Sequence, residues 1–239
     1  MDRGTLLEYL RQRAELGDHA LYLETMSASE FIRRMNAPSL SSDAHGEAQT
    51  GTGVKFAQLT ILQEQAAACT ACGLHATRKN PVFARGSALS KLMIVGEAPG
   101  EEEDKTGLPF VGRAGKLLDQ LLQAVGFPRD SVYICNVLKC RPPNNRNPLP
   151  NEVASCSGFL RGQIESIAPG VLLAVGKFAA QTLLQSEESI GRLRGQIHTY
   201  HQIPVVVTYH PAYLLRSPQA TRVAWHDFQL VRKILDEQT

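Results

Sequence analysis

Five cysteines are present, and four of them fall into two pairs: Cys69 and Cys72 within ACTACGL, and Cys140 and Cys156 on either side of RPPNNRNPLPNEVAS. Four thiolates hold either zinc or an iron–sulfur cluster, and this spacing does not separate the two. The N-terminus, MDRGTLLEYLRQRAELGD, is charged where a secretory signal needs an apolar centre. The expected location is therefore the cytoplasm, where such pairs are more often ligands than disulfides. A thioredoxin-like redox site would need a strand running into the Cys-x-x-Cys, and none precedes ACTACGLHATR. Cys135 sits inside an apolar run and reads as a plain buried thiol.

A second group of residues gathers at the ends of apolar runs. GEAPGEEED begins with Gly96 and Gly100 around Pro99, a sharp turn that lets a ligand approach the backbone. It lacks the Gly-x-Gly-x-x-Gly dinucleotide pattern, and acids stand where a pyrophosphate would sit. The chemistry that welcomes those acids builds positive charge or needs a water held by a carboxylate. Glu97 follows the run directly, whereas Glu101, Glu102, Glu103 and Asp104 read by default as an acidic helix start. Phe110, in GLPFVGRAG, either staples a helix start or stacks on a planar ligand such as a base. Asn136 closes a buried run, where its amide must be hydrogen-bonded and can read a base edge. His210, before Pro211, is a candidate acid, base or oxyanion donor.

These residues need a frame that brings run ends together. KLMIVG (91–96), SVYICNV (131–137), VLLAVG (171–176) and IPVVVTY (203–209) are continuous apolar runs of the kind buried on both faces of a parallel sheet. Helical patterns separate them at Ala114–Val125, Asn151–Ile167, Lys177–Leu184 and about Pro218–Leu235. The expected fold is a three-layer α/β/α sandwich around a central four-stranded parallel sheet, with its ligand crevice at the carboxyl ends of the strands. Residues 1–35 carry helical periodicity, and 36–53 have linker composition, so the chain divides into an N-terminal helical extension (1–52) and one catalytic or binding domain (53–239). The chain has 239 residues, 43% of them apolar, and no run of about 18 apolar residues that would span a membrane. Its net charge is only +2, but Gly191–Lys233 holds six basic residues against one acid, a face suited to phosphates.

Taken together, GEAPGEEED, GLPFVGRAG, NVLKCRPP, NEVASC, GKFAAQTLL, LRGQIH and HPAYLLR resemble the family 4 uracil-DNA glycosylases, the iron–sulfur type, over about Leu59–Leu235. The resemblance implies that Cys69, Cys72, Cys140 and Cys156 bind a [4Fe–4S] cluster. It implies a DNA repair enzyme that flips uracil out of the duplex and hydrolyses its glycosidic bond. Phe110 would stack on the base, and Asn136 would hydrogen-bond its polar edge and disfavour cytosine. His210 would donate to uracil O2 as charge builds there, an interaction of about 3–4 kcal/mol. Glu97, and by family analogy Glu103, would stabilise the cationic sugar or position the attacking water. Leu214 in YLLR is expected to wedge into the gap left by the flipped base, while Arg216, Arg141, Arg146 and Lys139 contact flanking phosphates. A related group traps DNA through a histidine in an arginine-rich insertion between the second cysteine pair. RPPNNRNPLPNEVAS has neither, so multiple turnover is expected.

The expected partner is uracil-containing DNA, with the protein a monomer and its N-terminal extension free to bind another protein. Two rival readings are a non-catalytic iron–sulfur DNA-binding module and an N-glycosidase of free nucleosides. Glu97, Phe110, Asn136 and His210 as a set argue against the first, and the basic C-terminal region and YLLR against the second.

Overall fold

In the computed structural model, residues 46–238 are described, with side-chain surroundings from residue 55 onward. The helices expected within 1–35 and the first part of the expected linker lie outside the described residues. Helix α1 spans Gly46–Ala68, so 46–53, which composition assigns to a linker, is helical.

Six strands form one sheet: β1 (Ala84–Gly86), β2 (Leu92–Gly96), β3 (Tyr133–Asn136), β4 (Val171–Val175), β5 (Ile197–Tyr200) and β6 (Ile203–Thr208). Their order is β1-β3-β2-β4-β6-β5. The four apolar runs form the central parallel strands, with Ile94 opposite both Ile134 and Leu173, and Leu173 opposite Val206. To these the structure adds two antiparallel edges, β1 on β3 and β5 on β6. The expected four-stranded sheet is thus the centre of a mixed six-stranded one. Neither edge carries an apolar run: β1 is only Ala-Arg-Gly, and β5 alternates exposed and half-buried residues. A short or half-solvated edge strand needs no continuous hydrophobicity, because only one face is covered.

The two-residue period of the strands divides the core. Met93, Val95, Tyr133, Leu172, Ala174, Val205 and Val207 face one layer, where Leu59 of α1, Leu160 and Ile164 of α4 (Pro150–Ile167) and Ala179 of α5 (Lys177–Leu184) pack. Leu92, Ile94, Ile134, Leu173 and Val206 face the other, against Leu118 and Leu122 of α3 (Arg113–Ala124) and Phe228 and Val231 of the C-terminal helix Thr221–Asp236. This alternation is what buries both faces of a sheet and gives three layers.

Between them run three shorter helices: α2 (Glu101–Thr106), α6 (Ile190–Leu193) and α7 (Pro211–Arg216), which makes Thr221–Asp236 helix α8. From β2 the chain crosses first to β3 on one side and later to β4 on the other. The carboxyl ends of β2 and β4 therefore flank a switch in strand order, where open α/β sheets bind ligands. Among the described residues no helix is long and apolar enough to cross a membrane.

Candidate active site and cysteine-lined cavity

The ends of the four parallel strands bring the expected residues together. Asn136 is the last residue of β3 and pairs with Gly96, the last of β2. A Cβ on Gly96 would lie 2.2 Å from Asn136 Oδ1 and 2.6 Å from Phe110 Cζ. Only glycine leaves the amide and the ring room to meet over the strand end. Phe110 reaches that place through a left-handed backbone (φ 54°), with its carbonyl so near α3 that a Cβ at Gly115 would sit 1.9 Å from it. Holding a bulky residue there costs about 1–3 kcal/mol, which the packing on both sides must offset. The ring of His210 lies 5.8 Å from that of Phe110, tilted by 31°, and is backed by Gly176 at the end of β4, where a Cβ would lie 3.1 Å from His210 Cβ.

The polar atoms here have unequal provision. Asn136 is buried, and its Oδ1 accepts no hydrogen bond within the protein. Leaving a buried carbonyl unpaired costs about 1–3 kcal/mol, so it marks a place reserved for a donor. His210 caps α7, its Nδ1 accepting from the Ala212 amide at 3.2 Å. Burial, and then the charge of Arg216, push its imidazolium down to about 4. The ring is thus neutral at physiological pH with its proton on Nε2, a donor that carries no charge of its own. Burial pushes the Glu97 carboxyl above its usual value, and its main-chain carbonyl accepts from the Leu138 amide at 3.0 Å.

The acid run resolves into three uses. Glu101 and Glu102 are exposed and pair with Lys105. Asp104 is buried and accepts from the Lys79 amide at 2.9 Å. Glu103 clamps two turns at once: Oε2 accepts from the Gly100 amide at 3.1 Å, and Oε1 accepts from the Val111 and Gly112 amides at 3.0 Å each. Its carboxylate holds the loop that carries Phe110 and stands within the electrostatic reach of His210.

The expected DNA contacts divide. Leu214 is 1% exposed and packs into the core with α3 and α8, which corrects its expected place as a wedge; the solvent-facing apolar side chains of α7 are Tyr213 and Leu215, each 40% exposed. In a helix of six residues one position decides between core and solvent, and sequence periodicity cannot fix that phase. Arg216 is exposed at the end of α7, and Arg141 is half-buried with Nε donating to Asn145 at 2.7 Å. Arg146 is engaged by the buried Glu152, whose carboxyl it holds below its usual value. Lys139 is 1% exposed, so it faces the interior and not phosphates. Gly115, Gly176, Gln163 and Leu215 were not singled out from sequence, whereas Gly96 was expected to allow a close approach. Only the glycines beside strand ends carried a signal, since a close approach there demands a missing side chain.

Cys69, Cys72, Cys140 and Cys156 wall one open cavity of about 290 Å³, solvent at its mouth included, together with Ala66, His75, Arg78, Lys139 and Phe159. None is in a disulfide. Among the described residues no three His, Cys, Asp or Glu side chains are drawn together to chelate a single ion. Burial raises the Cys140 thiol, and raises Cys156 to about 11. Buried thiols in such surroundings become thiolates only against positive charge, which is the chemistry of a metal or cluster ligand. Donors already aim at the sulfurs: Arg78 Nη1 to Cys140 Sγ at 3.0 Å and the Lys139 amide to Cys156 Sγ at 3.3 Å. The donor set fits a thiolate-bound cluster.

The sequence pattern of the Uracil DNA glycosylase superfamily matches residues 83–229. The type-4 uracil-DNA glycosylase of Thermotoga maritima is 45% identical over 184 residues, covering 75% of this chain and 96% of that protein. The type-4 uracil-DNA glycosylase of Saccharolobus solfataricus is 40% identical over 189 residues, 75% of this chain and 88% of its own. That of Archaeoglobus fulgidus is 41% identical over 174 residues, 70% and 87% respectively.

Proposed function

The chain belongs to the uracil-DNA glycosylase superfamily as a type-4 member, and from that premise we propose how its residues excise uracil from DNA. The activity is DNA repair by hydrolysis of an N-glycosyl bond, releasing uracil and leaving an abasic site. The observation that carries the site assignment is the unpaired, buried Asn136 Oδ1 held over Gly96 beside Phe110.

A uracil turned out of the duplex offers its N3–H to that oxygen and its O4 to the Asn136 amide nitrogen. Cytosine has no N3 proton and presents a donor at the 4-position, so it leaves both amide atoms opposed by like groups. Phe110 bounds the base through its ring. His210, neutral and protonated on Nε2, donates to O2 as the glycosidic electrons move onto the base. A neutral donor stabilises the departing anion without first giving it a proton. The sugar left behind is cationic, and Glu97 opposes that charge or orients the attacking water. Glu103 serves this step by fixing the Phe110 loop. Leu215, exposed on the helix that His210 caps, takes the wedge position in place of Leu214, and Arg216 and Arg141 meet flanking phosphates. The interval between Cys140 and Cys156 holds no histidine to trap the sugar, so the enzyme turns over.

Cys69, Cys72, Cys140 and Cys156 would hold the [4Fe–4S] cluster of the type-4 group, which when bound supplies a cross-link between the segment after α1, the loop after β3 and helix α4. The test of the site is uracil release from a labelled uracil-containing oligonucleotide, with alkali added to cut abasic sites. We expect Asn136→Ala and His210→Ala each to lower the rate by about 10²–10³-fold while the melting temperature holds. Wild-type rates in either variant would remove that residue from the pocket.

A further inference from the structure

Lys139 is one of the largest side chains with almost no exposure among the described residues, and it lies three residues beyond the base-reading amide. Its Nζ donates to the Asn136 main-chain oxygen at 2.5 Å and to Gln163 Oε1 at 2.6 Å, and rests 5.9 Å from the centre of the Phe83 ring. Both acceptors are neutral. Burying an ammonium without a carboxylate is costly, and an unbranched apolar side chain would fill the same space without that cost. What the apolar chain would lack is the donor to Asn136, together with the positive charge at the wall of the cysteine cavity that Lys139 also lines.

We propose that Lys139 is a positioning residue for uracil recognition: it tethers the Asn136 main chain so that the amide is held over Gly96 with Oδ1 open to the base. This inference rests on the excision reading above and adds a residue to it. The tether is anchored at both ends. On the far side Gln163, from α4, donates through Nε2 to the Phe83 carbonyl and to the Tyr133 hydroxyl, each at 3.1 Å, so the acceptor that shares Nζ is itself fixed. The Lys139 main chain is also pinned, its amide donating to Cys156 Sγ at 3.3 Å and its carbonyl accepting from the Val82 amide at 2.8 Å. Asn136 closes a strand and stands 2.2 Å from where a Gly96 Cβ would be. A shift of a few tenths of an ångström at its main chain therefore moves the amide off the strand end. Two amide atoms must meet two base atoms at once, and a bidentate contact is sensitive to such a shift where a single contact is not.

The experiment is a double-mutant cycle on the full-length holoprotein: wild type, Lys139→Met, Asn136→Ala and the pair, each measured for steady-state uracil release and for thermal melting. Lys139→Met is expected to lower kcat by about 10–100-fold, in the range of other supporting-residue losses, with KM for DNA nearly unchanged. In the Asn136→Ala background the same change is expected to have little further effect, because the group it positions is gone. A purely structural role would lower melting and activity alike in both backgrounds, and fully additive losses or an unchanged kcat overturn the proposal. Gln163→Met, which removes the second anchor and leaves the lysine in place, tests the same tether if Lys139→Met does not fold. A smaller loss that again vanishes beside Asn136→Ala supports it, and an additive one overturns it. A wild-type protein that releases no uracil would sink the excision reading itself, whereas an active wild type with an equally active Lys139→Met sinks only this inference.

Discussion

The proposed base pocket and the cysteine-lined cavity lie at the two ends of one five-residue segment, Asn136 to Cys140, and they are built differently. In the pocket, side chains are missing: Gly96, Gly115 and Gly176 withdraw so that a ring, an amide and an imidazole can converge, and one buried oxygen is left without a partner. Around the cysteines the donors are already supplied, with Arg78 reaching Cys140 and also the Ala67 carbonyl at 2.7 Å, and the Lys139 amide reaching Cys156. The first region gives up stability to keep a ligand's place open. With the proposed cluster bound, the second would contribute stability by joining the segment after α1, the loop after β3 and helix α4.

Three substitutions set the two regions against each other. Gly96→Ala strikes the pocket alone, since the new Cβ meets Asn136 Oδ1 and the Phe110 ring at distances no relaxed structure keeps. We expect uracil release to fall by about 10²-fold or more while the protein stays folded, as judged by circular dichroism. An active Gly96→Ala protein would mean that the amide and ring are not held over that strand end. Cys140→Ser strikes the other region, and here the order reverses: soluble yield and melting temperature are expected to fall, with the surviving folded fraction retaining its rate per molecule. A soluble, fully stable variant without bound iron would contradict the cross-linking role.

Glu97→Gln has the smallest effect on the fold and sharpens the comparison. The Glu97 carboxyl is raised by burial, so the folded protein favours its protonated form. That favour is present below the ordinary glutamate value and is lost as pH rises through the raised one. At neutral pH the ionised carboxylate thus weakens the fold slightly, and glutamine is expected to raise the melting temperature there by roughly 1–3 °C, with no gain in acid. Activity is expected to move the other way, falling in the variant at neutral pH. The wild type should lose rate as pH drops toward the raised carboxyl value, before His210, held near 4, begins to charge. A variant both more stable and equally active would remove Glu97 from the chemistry.

The sheet's centre was legible because its strands are buried on both faces and their sequences say so continuously. The edges β1 and β5 were not, since a strand of three residues or one half in solvent has no such run. That Glu97, Asn136 and His210 stand at strand ends, and that two cysteine pairs line one cavity, was legible from their places against the apolar runs and from their pairing. Lys139 was misplaced because Lys139-Cys140-Arg141 reads as a basic surface, and nothing local tells a buried ammonium from a solvated one. Leu214 and Leu215 differ only in helical phase, which the core decides. From its own residue context Glu103 is one acid among four, singled out only by the resemblance, and its three amide partners come from two turns that the sequence does not bring together.

The separation of the cysteines along the chain also sets a timetable. Cys72 and Cys156 lie 84 positions apart, and at roughly 5–20 residues per second of synthesis the first thiol pair waits roughly 4–17 s for its partners to emerge. During that interval β3 and α4 do not yet exist, and Cys69 and Cys72 have no cavity to line. Oxidation of the first thiol pair during that interval would therefore appear as lost yield and not as a slower catalyst.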